Sequence, residues 1–164
     1  MKKQNLSQHG NIPGLKNRNV KIGIVVSEWN ETITNALKEG ALTVLHEAGV
    51  EKEQIIVHYV PGSFELPFAA SMMMDADEMV DAVICLGCVI QGETRHFEFI
   101  SQAVANGIMR ISQDYGIPVI FGVLTCDTFE QARERAGGKY GNKGVEAAST
   151  CLKMIELQEL IIEN

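Results

Sequence analysis

A chain of 164 residues, 46% hydrophobic and 21% charged, has the length and make-up of one globular domain that buries a core without staples. A formal charge of -7 argues against a nucleic-acid surface, and no apolar run approaches the ~20 residues of a membrane span, so neither nucleic acid nor membrane is an expected partner. The polar opening Met1-Lys-Lys-Gln-Asn-Leu-Ser-Gln-His-Gly10 lacks the apolar centre of a secretory signal, which gives a cytoplasmic expectation.

Residues 1–19, with Gly10, Pro13 and Gly14, read as a flexible N-terminal arm ahead of a single domain over 20–164. Val20 to Val26 is a buried strand, and Asn30 is placed to cap a helix whose apolar residues are Ile33, Ala36, Leu37, Ala41, Val44, Leu45 and Ala48, ended by Gly49. A second strand spans Ile55 to Val60. Pro61-Gly62-Ser63 then turns the chain, and Pro67 fits the first turn of a helix carrying Ala69, Ala70, Met73 and Met74. Met72, Met73 and Met74 read as core filler.

Ala82 to Ile90 is a third strand, followed by a helix with Phe97, Ile100, Val104, Ile108 and Ile111 on one face and a break at Gly116-Ile-Pro118. Val119 to Leu124 is a fourth strand. Asp127 and Glu130 have capping-box spacing for a short helix through Ala136, stopped by Gly137 and Gly138. A last helix starts near Asn142 and runs toward Ile161, burying Val145, Ala148, Leu152 and Ile155. Repeated β-α order implies a parallel four-stranded sheet with helices on both faces, a three-layer α/β/α sandwich of flavodoxin-like topology.

Cys85 and Cys88 form a C-x-x-C, but residues three apart on a strand point to opposite faces and cannot chelate one metal. With Cys126 and Cys151 supplying no second pair, the four cysteines read as small packing residues, with no disulfide framework and no metal. Ligands of parallel α/β sheets bind outside the carboxyl ends of the strands. That rule gathers Ser27-Glu28-Trp29-Asn30, Pro61-Gly62-Ser63-Phe64-Glu65, Gln91-Gly92-Glu93-Thr94-Arg95-His96 and Thr125-Cys126-Asp127 into one place. The third tip joins a glycine, a hydroxyl and an imidazole at a helix start, where open N–H groups attract anions and a histidine moves protons near neutral pH.

Taken together, Trp29-Asn30, Pro61-Gly-Ser-Phe-Glu65, Gly92-Glu-Thr-Arg-His-Phe97, Phe121-Gly-Val-Leu-Thr125, Gln131-Ala-Arg-Glu-Arg-Ala-Gly137 and Asn142-Lys-Gly-Val-Glu146 resemble lumazine synthase, in order over roughly residues 20 to 158. The resemblance implies a transferase of riboflavin biosynthesis that uses no metal or organic cofactor. It would condense 5-amino-6-(D-ribitylamino)uracil with 3,4-dihydroxy-2-butanone 4-phosphate to 6,7-dimethyl-8-ribityllumazine, phosphate and water.

The same resemblance assigns roles. His96 is the proton shuttle. Arg135, in the pattern Arg-Ala-Gly-x-Lys-x-Gly-Asn-Lys-Gly, grips phosphate with the Gly92-Glu93-Thr94 loop, and Lys143 contacts phosphate or ribityl; without that pattern Arg133 and Arg135 would read as a solvated helix face. Trp29 replaces the family's usual phenylalanine for ring stacking. Asn30, Gly62, Ser63, Phe64 and Glu65 serve the ribityl chain, while Cys88, Val89 and Ile90 lie along the pyrimidine beside Gln91, which departs from a basic residue often found there. Phe121 reaches the site of an adjacent subunit in homo-pentamers or icosahedral 60-mers, the shell being favoured here. Two alternatives stay open: an archaeal-type riboflavin synthase on the same scaffold, and a non-catalytic shell or flavin-binding protein, riboflavin being a ligand that an active enzyme would also stack.

Overall fold

The computed structural model describes residues 12–15, 19–75 and 80–162. Four strands, β1 (Ile22–Ser27), β2 (Ile55–Val60), β3 (Ala82–Ile90) and β4 (Val119–Cys126), form a sheet in the order β2-β1-β3-β4. Every pairing in it is parallel. Parallel neighbours require crossovers, and these are α1 (Glu31–Glu47), α2 (Leu66–Asp75) and α3 (His96–Tyr115).

Alternation along the strands splits the core in two. Ile22, Ile24, Val26, Ile84 and Leu86 face Ile33, Leu37, Val44 and Leu45 of α1 and Ala148, Cys151, Leu152 and Ile155 of α5 (Lys143–Ile162). Val25, Val83, Cys85 and Val123 face Leu66, Ala70, Met73 and Met74 of α2 and Val104 and Ile108 of α3. Three layers result, as the β-α order implies. The α1 and α5 backbones touch at Gly144, where a Cβ would strike the Leu37 carbonyl.

Departures from the expected elements are local. Met73 and Met74 are core, but Met72 is 57% exposed, because three consecutive helix positions cannot share one buried face. Leu15, expected in the arm, is 1% exposed and joins the α1 side of the core, its N–H donating to the Ala48 carbonyl at 2.8 Å. The arm's expected flexibility over 1–11 and 16–18 lies outside the described residues.

The Asp127 and Glu130 capping box is corrected. Thr128 caps α4 (Phe129–Arg133), its hydroxyl accepting the Gln131 N–H at 3.2 Å, while the Asp127 N–H donates to Gln131 Oε1 at 3.1 Å. The glutamine thus takes the reciprocal role one step along the chain. This helix stops at Arg133, short of Ala136, and residues read as its end form β5 (Ala136–Gly138), antiparallel to β6 (Gly141–Asn142). Positive φ at Gly137 (109°) and Gly141 (85°) explains why glycines occupy that hairpin.

Candidate active site

Strand order reverses between β1 and β3, so the crevice that such sheets use lies where those two tips diverge. Asn30 bridges it. Its Nδ2 donates to the Cys88 carbonyl at 3.0 Å, tying the loop after β1 to the end of β3. The residue sits at the N-cap position of α1, its carbonyl accepting the N–H groups of Ile33 and Thr34, but its side chain makes no cap bond, contrary to the capping expectation. The reason is conformational: Asn30 adopts φ 61°, ψ 42°, the described non-glycine residue with positive φ, which turns the amide away from the helix and across the crevice.

Trp29 is fixed from the other side. Its N–H donates to the Pro61 carbonyl at 3.0 Å, and the Glu28 N–H donates to the Val60 carbonyl at 2.8 Å, so the β1 and β2 tips stay paired beyond the sheet. A Cβ at Gly62 would fall 2.6 Å from Cε3 and Cζ3 of Trp29, placing the indole directly on the Gly62 backbone. At 64% exposed, the ring keeps most of its surface free for a planar ligand. The sequence gives no signal for this contact beyond the presence of a glycine.

In the second tip, Glu65 Oε2 accepts the Gly62 N–H at 3.0 Å and closes the turn into α2. Phe64 is 55% exposed, whereas Ser63 is buried with its hydroxyl against Gly87 and unpaired. Ile90 and Val89 are half-buried at the β3 end. Cys88 is different: its thiol is buried in the α1-side core, and burial pushes its pKa up to about 12. Only its backbone faces the crevice, and that carbonyl already accepts Asn30. Cys85 lies on the opposite face, as the strand period requires, and all four cysteines are free and buried.

The third tip is open. Gln91 N–H donates to the Cys126 carbonyl at 2.9 Å and ends the β3-β4 ladder; from Gln91 to His96 every residue is exposed. A Cβ at Gly92 would meet nothing within 4 Å, so its backbone is approachable. His96 is the first residue of α3, and its own N–H reaches the Thr94 hydroxyl at 3.4 Å. Imidazole, hydroxyl and bare backbone therefore share one exposed turn at a helix start, where N–H groups favour an anion.

Arg135 follows α4 at the β4 tip, its Nη1 donating to the Gln131 carbonyl at 2.9 Å and its guanidinium carbon 4.9 Å from the Tyr140 ring. Its charge opposes the upward push that burial gives the Cys126 thiol, which places the cation beside the strand end. Lys143 joins it through the backbone, donating its N–H to the Arg135 carbonyl at 2.9 Å, while its Nζ pairs with Glu146 at 2.9 Å. Phe121 is elsewhere. It pairs with Cys85 near the start of β4, five positions before Cys126, or ~16 Å of strand from this chain's own tips. β4 is an edge strand, so the half-buried Phe121 lies on an outer margin of the sheet.

Comparison with known proteins identifies the family. A family profile described as 6,7-dimethyl-8-ribityllumazine synthase matches residues 19–159. A protein of that name from Cytophaga hutchinsonii is 57% identical over 153 residues, covering 93% of this chain and 94% of that protein. Those of Porphyromonas gingivalis, at 52% identity over 87% of this chain and 88% of that protein, and Parabacteroides distasonis, at 50% over 93% and 94%, are similarly close. The chain belongs to the 6,7-dimethyl-8-ribityllumazine synthase family.

Proposed function

We infer that this chain condenses 5-amino-6-(D-ribitylamino)uracil with 3,4-dihydroxy-2-butanone 4-phosphate, forming 6,7-dimethyl-8-ribityllumazine and releasing phosphate and water. The observation that carries this is the family match over residues 19–159, which spans all four strand tips. The primary amine of the uracil attacks the ketone and forms an imine with loss of water. Phosphate then leaves by elimination, and the ribitylamino nitrogen closes the ring with loss of a second water.

Each step moves a proton, and His96 is the group that moves it. Its position beside Gly92 and Thr94 puts that proton next to the departing phosphate, which the backbone of that loop and the Arg135 fork receive. Trp29 stacks the pyrimidine. Phe64, Glu65 and the backbone of Gly62 and Ser63 line the ribityl chain, with Val89 and Ile90 beside the ring. Asn30 holds two of these walls together through Cys88.

We further propose that the working particle is a homo-pentamer or an icosahedral 60-mer in the cytoplasm. Three features support it. Phe121 lies far along the strand from its own chain's tips but at a sheet margin. Next to the other edge strand, a groove of about 540 Å³ lined by Tyr59, Val60, Pro61, Phe68 and Met72 is apolar and open, as a surface that meets another subunit should be. Free thiols suit a reducing compartment.

The test is to mix purified protein with both substrates and follow lumazine absorbance with phosphate release. Matched formation of both, above the spontaneous rate, is expected. Conversion of lumazine to riboflavin without phosphate release would instead favour the riboflavin synthase chemistry, and no turnover by assembled protein would favour a binding or shell role.

A further inference from the structure

Arg135 has a partner that its motif does not supply. The hairpin of β5 and β6 folds back on the arginine, with Tyr140 N–H donating to the Glu134 carbonyl at 2.8 Å and Lys143 N–H to the Arg135 carbonyl at 2.9 Å. Those bonds place the Tyr140 ring 4.9 Å from the Arg135 guanidinium carbon and 5.6 Å from Lys139 Nζ. In the pattern Arg-Ala-Gly-x-Lys-x-Gly-Asn-Lys-Gly, position 140 is one of the two left open, so the motif itself does not call for an aromatic ring there.

A guanidinium grips two phosphate oxygens only when its plane is oriented toward them, and a long side chain free to rotate spends little time so oriented. Here one edge is anchored, Nη1 to the Gln131 carbonyl at 2.9 Å. One anchor leaves rotation about the side-chain axis. The face of an aromatic ring removes it, because a planar cation lies favourably against the negative π surface. The ring also accepts Lys139, which keeps a second positive charge within the same cluster.

We propose that Tyr140 is a positioning residue for the reaction: its ring fixes the plane of Arg135 so that the free edge of the guanidinium meets the substrate phosphate. This rests on Arg135 being the phosphate ligand. It predicts a defect confined to the phosphorylated substrate, one that any flat ring at position 140 repairs.

The experiment uses the assembled protein and inorganic phosphate as the binding probe, alongside steady-state kinetics. Tyr140→Leu should weaken phosphate and raise the KM for the butanone phosphate by about threefold to fivefold, the size of an exposed cation–π contact, with the KM for the ribitylaminouracil unmoved. Tyr140→Phe should match the parent. Tyr140→Met, which fills similar space without a π face, takes the place of the leucine variant if that one fails to assemble. Equal losses for both substrates, or a phenylalanine variant as impaired as the leucine one, would overturn the proposal by pointing to general disruption or to the hydroxyl. Arg135→Ala separates the two levels. If it weakens phosphate while Tyr140→Leu does not, the positioning role is wrong and the Arg135 reading stands; if Arg135→Ala leaves phosphate binding intact, the Arg135 reading is lost and the inference with it.

Discussion

In the proposed mechanism His96 serves proton transfer and Trp29 serves binding, so each is tested by a different measurement. His96 is an exposed residue at a helix start, so removing its imidazole should cost rate and little structure. His96→Ala is expected to slow condensation about 10²-fold with pyrimidine affinity retained; turnover unchanged in single-turnover kinetics would remove His96 from the mechanism. Trp29 is the chain's one tryptophan, so its fluorescence reports the stacking platform alone. A methyl at Gly62 would land 2.6 Å from the indole and must displace it. Gly62→Ala should therefore shift the emission maximum and weaken pyrimidine binding by up to about tenfold, the scale of an aromatic stacking contribution. An unshifted spectrum would mean that the ring does not rest on Gly62 in solution.

Among the elements, those set by periodicity were legible in the chain and those set by one long-range bond were not. The strands and the four long helices follow from apolar runs and 3.6-residue spacing, and the strand-tip rule then collects most of the candidate site. The missed features each hinge on a contact that spacing does not encode: Leu15 bonded to Ala48, the hairpin after Arg135, the indole on Gly62, and Asn30 turned to Cys88 instead of its helix. An asparagine at a helix start reads as a cap because that is its commonest use. Its positive φ reverses the reading, and substitution can separate the two causes. Asn30→Gly keeps the left-handed backbone and loses only the bond to Cys88, about 1 kcal/mol. Asn30→Ala loses the bond and adds left-handed strain, about 2 kcal/mol in all. Urea midpoints that rank the variants in the opposite order would show that the left-handed backbone carries no strain there, since both variants lose the amide.

At the scale of the whole molecule, buried thiols set an alkaline limit, and the proposed assembly would set activity. Burial pushes the thiols of Cys85 and Cys151 up to about 12 from 9.0, so the folded state keeps protons that the unfolded chain sheds. Their contribution is fully present below 9.0 and is lost as pH climbs toward 12. Cys151→Ala should accordingly lose less stability than the parent between about pH 8 and about pH 10.5, by about 2 kcal/mol in denaturant titrations, and equal losses would contradict the burial effect. The interface yields to a different measurement. If Phe121 completes the site of a neighbouring subunit, His96→Ala and Phe121→Ala each damage every site in their own assemblies, yet they damage different halves of a shared one. Unfolded, mixed in equal amounts and reassembled, they should form rings in which a subunit with intact His96 meets a neighbour with intact Phe121 at about one interface in four, as random order around a closed ring requires. Activity should then rise to about a quarter of the parent's, well above either variant alone. A site built within one chain leaves no such combination, because every subunit carries one lesion or the other. A mixture no more active than the two variants averaged would therefore place Phe121 outside the neighbour's site, and with it remove the reason for this enzyme to work as an assembly.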